Sequence, residues 1–269
     1  MQPPTKIVVA LEAAESIVAV FAEACTLART FGAELVLAHA IPESPPMTPG
    51  FDVVADQIRE TFDDLRLKAQ REGLSVSETD YVRFGEVGKV LAEVIAESGA
   101  NWLVMGAANK TTIDFLLLGS TAEKILRTSP VPVWLVRPGR PHREVKRVLC
   151  AYDGSEPSRE ALAAASFLAR NFVAHLTVLT VGKPTEAELI QRELVDEYDL
   201  HGVEVELATR SGEAVEEVLD ALSENPADLL VLGCAARRGF RRLFHKNTAE
   251  RLARKAPCSL LSLRAPDEN

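Results

Sequence analysis

Lys6-Ile7-Val8-Val9-Ala10-Leu11-Glu12 is a short apolar run closed by a carboxylate, and its pattern returns 141 residues later as Arg147-Val148-Leu149-Cys150-Ala151-Tyr152-Asp153. Leu35 lies over Leu176 at the same offset. Further along the offset becomes 127: Gly85 lies over Gly212, Met105-Gly106 over Leu232-Gly233, and Thr121-Ala122-Glu123-Lys124-Ile125-Leu126 over Thr248-Ala249-Glu250-Arg251-Leu252-Ala253. The 14 residues between the two offsets are an insertion in the first copy after its second strand, where Pro42, Pro45, Pro46, Pro49 and Gly50 mark a loop. A repeat of this length means two copies of one domain. Arg137-Pro138-Gly139-Arg140-Pro141-His142-Arg143 has the composition of a linker, so the expected domains are residues 1–141 and 142–269. Each is long enough to bury its own core.

Within each copy, apolar runs bounded by turn residues alternate with segments of helical period. In the first copy the expected strands lie near residues 6–12, 34–41, 75–83, 101–106 and 131–136. Between the first two, Ile17, Phe21, Ala24, Leu27, Ala28 and Phe31 recur at three- and four-residue spacing, the mark of a helix with one buried face. Strand, helix, strand, repeated, predicts right-handed parallel crossovers and a doubly wound α/β sheet covered on both sides.

Composition narrows the function classes. A 47% hydrophobic, 26% charged chain is globular in balance, and no apolar run approaches the length of a membrane span. The apolar stretch after Met1–Lys6 is too short for a signal peptide, so the expected location is the cytoplasm, with no membrane partner. Cys25, Cys150, Cys234 and Cys258 are scattered without metal-ligand spacing and are expected as reduced, buried thiols. A net charge of −9 argues against nucleic acid as a partner of the whole surface.

In doubly wound sheets ligands sit beyond the carboxyl ends of the strands, where the winding reverses. After the fourth strand of the first copy come Gly106-Ala107-Ala108-Asn109 and then Gly119-Ser120-Thr121 at a helix start. Glycines let backbone N–H groups approach a phosphate, and the helix start adds unpaired donors. The same residues also fit a plainer reading, in which Gly106 ends a strand, Gly119 turns and Ser120 caps. In the second copy the corresponding loop carries Arg237, Arg238, Arg241, Arg242, His245 and Lys246, which fits either an anion or acidic-partner site or a solvated loop. His39 lies in an apolar strand and falls over Thr180, which suits a core or hydrogen-bonded histidine. Ser155 has the setting of a helix N-cap. Asp153 either binds a ribose or ends its strand. No Ser, His and Asp grouping or carboxylate pair is repeated between the copies, so no catalytic residue and no metal site is assigned.

Together, Ala151-Tyr152-Asp153-Gly154-Ser155 in the second copy and Gly106-x-x-Asn109-x(9)-Gly119-Ser120 in the first resemble the universal stress protein family. Nucleotide-binding members of that family carry V-x-x-D-G-S after strand 1 and G-x-x-G-x(9)-G-[ST] after strand 4. The endings Pro130–Val136 and Pro257–Leu263 resemble its fifth strand. The resemblance implies an adenine-nucleotide α-hydrolase-like, Rossmann-like fold with strand order 3-2-1-4-5 in each copy, a role in stress resistance, and ATP as cofactor, accompanied by Mg where the triphosphate binds. Carried onto the first copy, its site would comprise Ala10, Glu12, Ala40, Gly106, Asn109, Gly119, Ser120 and Thr121. A degenerate second site would comprise Asp153, Gly233, Arg237 and Arg238. The first copy departs in having Glu12-Ala13-Ala14 for Asp-Gly-Ser and Asn109 for the second glycine; Asn still adopts a left-handed backbone. In the second copy Ala236, Lys246 and Asn247 replace the phosphate loop's second glycine and Gly-Ser.

The expectation is a noncatalytic, nucleotide-responsive protein whose first domain binds ATP and whose degenerate second domain is an interaction partner. The copies are expected to form an intramolecular pseudo-dimer, with a protein partner or a homodimer of tandem chains open. The rival readings are an interaction scaffold without nucleotide and a weak ATPase.

Overall fold

In the computed structural model the described residues are 1–12, 14–41, 51–107, 119–137, 144–183, 202–234 and 248–264. They divide into two compact units, one holding the described residues from 2 to 137 and the other those from 144 to 264.

The first unit runs β1 (Lys6–Ala10), α1 (Ala14–Phe31), β2 (Glu34–Ile41), α2 (Phe51–Arg71), β3 (Tyr81–Phe84), α3 (Val87–Ser98), β4 (Trp102–Gly106), α4 (Ser120–Thr128) and β5 (Val133–Val136). Its strands are parallel in the order β3-β2-β1-β4-β5. The second unit runs β6 (Arg147–Ala151), α5 (Glu156–Phe172), β7 (His175–Val181), β8 (Val205–Arg210), α6 (Ala214–Glu224), β9 (Leu229–Cys234), α7 (Thr248–Lys255) and β10 (Ser259–Arg264). Its order, β8-β7-β6-β9-β10, is the same winding repeated.

The hydrophobic runs explain why β1 and β6 lie innermost. Ile7, Val8 and Val9 are wholly inaccessible, as expected of a strand covered on both faces. Each such side chain contributes about 1.5–3 kcal/mol of transfer free energy. On α1 the buried stripe is Phe21, Ala24, Leu27 and Ala28, with Ile17 and Phe31 half-buried at its ends. Trp102 on β4 and Trp134 on β5 stand 6.4 Å apart in the first core, and the Trp134 Nε1–H donates to Glu23 on α1 at 2.5 Å.

Two strands differ from the sequence expectation. The run over 75–83 starts pairing early, with Ser77 N–H bonded to the Leu35 carbonyl at 2.8 Å, and then breaks. Ser77 Oγ accepts from Thr79 N–H there, while the buried Arg66 donates to the Ser77 carbonyl and pairs with Asp63 and Asp80, so β3 proper begins only at Tyr81. The fifth strand begins at Val133: Ser129 and Val131 close a turn on each other, and Pro132 has no N–H to pair.

The copies also share polar fastenings at the repeat offsets. Asn101 Oδ1 accepts from the backbone N–H groups of Thr5 and Lys6 at 2.9 and 3.2 Å, fixing the start of β1 beside β4. Asp228 Oδ2 does the same for Lys146 and Arg147, both at 2.9 Å. Arg83 at the end of β3 makes a two-pronged bond to Glu97 on α3, and Arg210 at the end of β8 does so to Glu224 on α6. Glu86 ahead of α3 pairs with Lys124 on α4 at 2.5 Å, and Glu213 ahead of α6 pairs with Arg251 on α7 at 2.8 Å.

Candidate functional site

Parallel strands point their carboxyl ends the same way, and in the first unit the winding reverses between β1 and β4. Ala10 ends β1 as a buried residue, and Glu12, two residues on, is half-buried. Gly106 ends β4 and is buried. Beside β1, β2 brings up the half-buried His39 and Ala40. α4 opens with Gly119 at its N-cap position, followed by the exposed Ser120 and the half-buried Thr121. Asn109 lies outside the described residues.

Gly119 has φ −68 and ψ 147, an extended conformation open to any residue, so no left-handed backbone explains a glycine there. What the glycine does leave is an N-cap without a side chain: among the described residues no side-chain cap bond is made to the first N–H groups of α4. The first backbone bond inside the helix runs from Glu123 N–H to the Gly119 carbonyl. The N–H groups of Ser120, Thr121 and Ala122 therefore precede the intrahelical ladder, and with the dipole they are suited to an anion. By contrast, α6 is capped internally, with Glu213 Oε2 accepting from the N–H groups of Val215 and Glu216 at 3.1 Å each.

The two turns after the central strands are built differently. In the second unit Asp153, 2% exposed, accepts from Ser155 N–H at 3.0 Å and from the Ser155 hydroxyl. Ser158 Oγ donates to the Ser155 carbonyl at 2.8 Å and accepts from Asp153 N–H at 3.3 Å. Arg159 Nε–H donates to the Gly154 carbonyl at 3.2 Å. Ser155 does hold the N-cap position of α5, as its sequence setting suggests, but its hydroxyl serves Asp153 and does not cap the helix. Beneath this turn, burial and then the Asp153 carboxylate push the Cys150 thiol well above its usual range. Gly233, the counterpart of Gly106, packs against α5: a Cβ there would lie 2.0 Å from the Pro157 carbonyl oxygen. Arg237, Arg238 and the rest of the basic cluster, through Arg241, Arg242, His245 and Lys246, lie outside the described residues.

In the first unit a cross-strand bond holds the turn. Leu11 N–H donates to the Ala38 carbonyl at 2.9 Å, as Tyr152 N–H does to the Leu179 carbonyl in the second unit, and what is particular to the first is that His39 Nδ1–H donates to the Leu11 carbonyl at 2.5 Å. A carbonyl only accepts, so the ring carries its hydrogen on Nδ1. His39 is thus a hydrogen-bonded histidine, one of the two alternatives its sequence setting offered. Its counterpart Thr180 is fully buried, and its hydroxyl has no hydrogen-bond partner among the described residues. Sequence reasoning did not find the His39–Leu11 bond, because a side-chain-to-backbone bond between strands leaves no spacing signal. The Glu86–Lys124 and Glu213–Arg251 pairs did leave one, since opposite charges recur together at the 127 offset.

Cys25, Cys150 and Cys258 are buried free thiols and Cys234 is a half-buried one; desolvation raises Cys25 to about 11. Among the described residues no group of three or more His, Cys, Asp or Glu is placed to hold a metal ion, and no helix is long and apolar enough to cross a membrane.

Comparison with known proteins places this architecture. A sequence profile described as the Universal stress protein family matches residues 4–137, 144–197 and 182–264. The universal stress protein Rv2319c of Mycobacterium tuberculosis is 26% identical over 196 residues, 64% of this chain and 67% of the relative. The universal stress protein Slr1230 of Synechocystis is 32% identical over 154 residues, 55% of this chain and 52% of the relative. Among solved structures, a universal stress protein from Archaeoglobus fulgidus superposes with a TM-score of 0.79 at 18% identity, covering 96% of this chain and 98% of that one, a likeness of fold.

Proposed function

The chain belongs to the universal stress protein family, and on that premise we propose that it is a cytoplasmic, noncatalytic stress-response protein whose first unit binds an adenine nucleotide, ATP. The observation that supports this reading is the start of α4, where the N–H groups of Ser120, Thr121 and Ala122 follow an uncapping glycine. Phosphates fit donors of this kind, because the helix start supplies both hydrogen bonds and a positive dipole end. Glu12, beyond the end of β1, is the carboxylate we assign to the ribose hydroxyls, and Gly106 allows close approach beside it. Magnesium would enter with the triphosphate, bridging its oxygens with few protein ligands.

The second unit is not expected to hold phosphates in this manner. Lys246-Asn247 stand in the sequence where the first copy has Gly119-Ser120. Gly233 is closed against the first turn of α5. We assign this unit an interaction role.

Isothermal titration of the intact chain with MgATP tests the proposal. One site is expected. Gly119→Val should weaken it at least tenfold, about 1.4 kcal/mol. Because φ at position 119 suits valine, the substitution obstructs the ligand without straining the backbone. Two equivalent sites, or an affinity unchanged by Gly119→Val with the circular dichroism spectrum intact, would refute the reading.

A further inference from the structure

Two copies of one fold must each fix the turn that follows the central strand, and they do it with different residues. In the second unit the lock is local: Asp153, Ser155, Ser158 and Arg159 bond one another and the backbone of residues 153–155. No side chain from the neighbouring strand takes part, and the Thr180 hydroxyl makes no hydrogen bond among the described residues. In the first unit the sequence has Glu12-Ala13-Ala14 in place of Asp153-Gly154-Ser155, and alanine side chains cannot make such bonds. There His39 donates to the Leu11 carbonyl, while the Leu11 N–H is already bonded to Ala38. Both polar groups of the residue immediately before Glu12 are thereby tied to β2.

We propose that His39 is a positioning residue that fixes the backbone entering Glu12, replacing in the first unit the lock that the Asp-Gly-Ser turn provides in the second. Its importance for binding rests on the nucleotide reading above; its action on the turn does not. Without the imidazole bond the Leu11 carbonyl loses its tie to β2, and the backbone entering Glu12 keeps only the Leu11 N–H bond to that strand. The geometry also dictates which replacement preserves the function: Asn at position 39 can present an amide N–H where Nδ1–H stands, whereas Thr, the residue of the second copy, is too short to reach the carbonyl.

The experiment uses the full chain with His39→Thr, His39→Asn, and His39→Thr combined with Glu12→Asp, Ala13→Gly and Ala14→Ser. Amide hydrogen exchange without ligand reads the turn directly. Exchange at Leu11 and Glu12 should rise about fivefold or more in His39→Thr, as loss of one hydrogen bond implies. It should stay near wild type in His39→Asn and return toward it in the combined variant. MgATP titration should follow the same order, with His39→Thr weakened by about the same factor. Unchanged exchange in His39→Thr, or His39→Asn behaving like it, would overturn the role of His39. If the wild-type chain takes up no ATP, the nucleotide reading fails, while the exchange pattern still decides the positioning role.

Discussion

In the first unit Arg83 meets Glu97 and Glu86 meets Lys124; in the second, 127 residues on, Arg210 meets Glu224 and Glu213 meets Arg251. The turns after β1 and β6, at equally corresponding places, share one backbone bond to the neighbouring strand, Leu11 N–H to Ala38 and Tyr152 N–H to Leu179, but neither their side-chain hydrogen bonds nor their key residues. The contrast separates two kinds of constraint. Ion pairs that fasten α3 to β3 and to α4, and α6 to β8 and to α7, recur in both units although Gly119-Ser120 of the first stands as Lys246-Asn247 in the second, so they belong to the architecture. The turns at the strand ends differ, and these are the places where a ligand would be met.

The largest effect that could break this comparison comes from Gly233. A Cβ at that position would stand 2.0 Å from Pro157 O, 2.2 Å from Pro157 C and 2.8 Å from Ser158 N, all backbone atoms that cannot swing aside. Gly233→Ala must push α5 off β9, at a cost of about 3 kcal/mol or more. Both tryptophans, Trp102 and Trp134, belong to the first unit. Urea unfolding followed by circular dichroism should therefore shift to lower urea for the second unit, with a smaller shift in tryptophan fluorescence. A stable Gly233→Ala protein would mean that the close packing of α5 on β9 is not a requirement of the fold.

A smaller and opposite effect is expected where the copies differ at a helix end. α1 ends at Gly32, with φ +68, and α5 ends at Val173, with φ 52 and ψ 50. Both turns close alike: Ala33 N–H reaches the Ala28 carbonyl and Ala174 N–H the Ala169 carbonyl. A β-branched residue in the left-handed region costs about 1–2 kcal/mol, and Val173 is 85% exposed, so burial returns little. Val173→Gly should raise the stability of the second unit by about 0.5–1 kcal/mol, the relief of strain less the added freedom of the unfolded chain. A lower melting temperature for Val173→Gly would show that the valine has a role its exposed position does not reveal.

The particular residues show how much of this was legible in the sequence. The repeat and its two offsets contain the fold, because an apolar run such as Ile7-Val8-Val9 buried on both faces can only be an interior parallel strand. Strand ends were less legible: the break after Ser77 depends on Arg66 reaching across from α2, a tertiary contact with no local pattern. In the site, Gly106 ends β4, Glu12 follows β1 by two residues and Gly119 precedes α4, which are the local settings their sequence positions suggested. The sequence could not assign His39 its bond, nor show that Ser155 would serve Asp153 and leave α5 uncapped, since each depends on how side chains compete for one backbone group.

The smallest effects test whether the shared fastenings are equivalent in the two copies. Arg83 holds the Glu97 carboxyl below its usual range through a side-chain hydrogen bond, and Arg210 does the same to Glu224. A carboxylate depressed in the folded state contributes stability that is fully present above its unfolded pKa, near 4.3, and is lost as pH falls through the lower folded value. Acid should therefore destabilise the wild-type protein progressively below about pH 5. Glu97→Gln and Glu224→Gln should each lower stability slightly at neutral pH and flatten the acid limb, since an amide cannot titrate. Both carboxylates are solvent-exposed, so the change in each is small and shrinks further in high salt. Thermal melts from pH 3 to pH 7 at two salt concentrations decide the matter. Equal flattening by the two variants would mark the pairs as one device used twice, whereas flattening by only one would mean that the repeated geometry conceals different electrostatic roles.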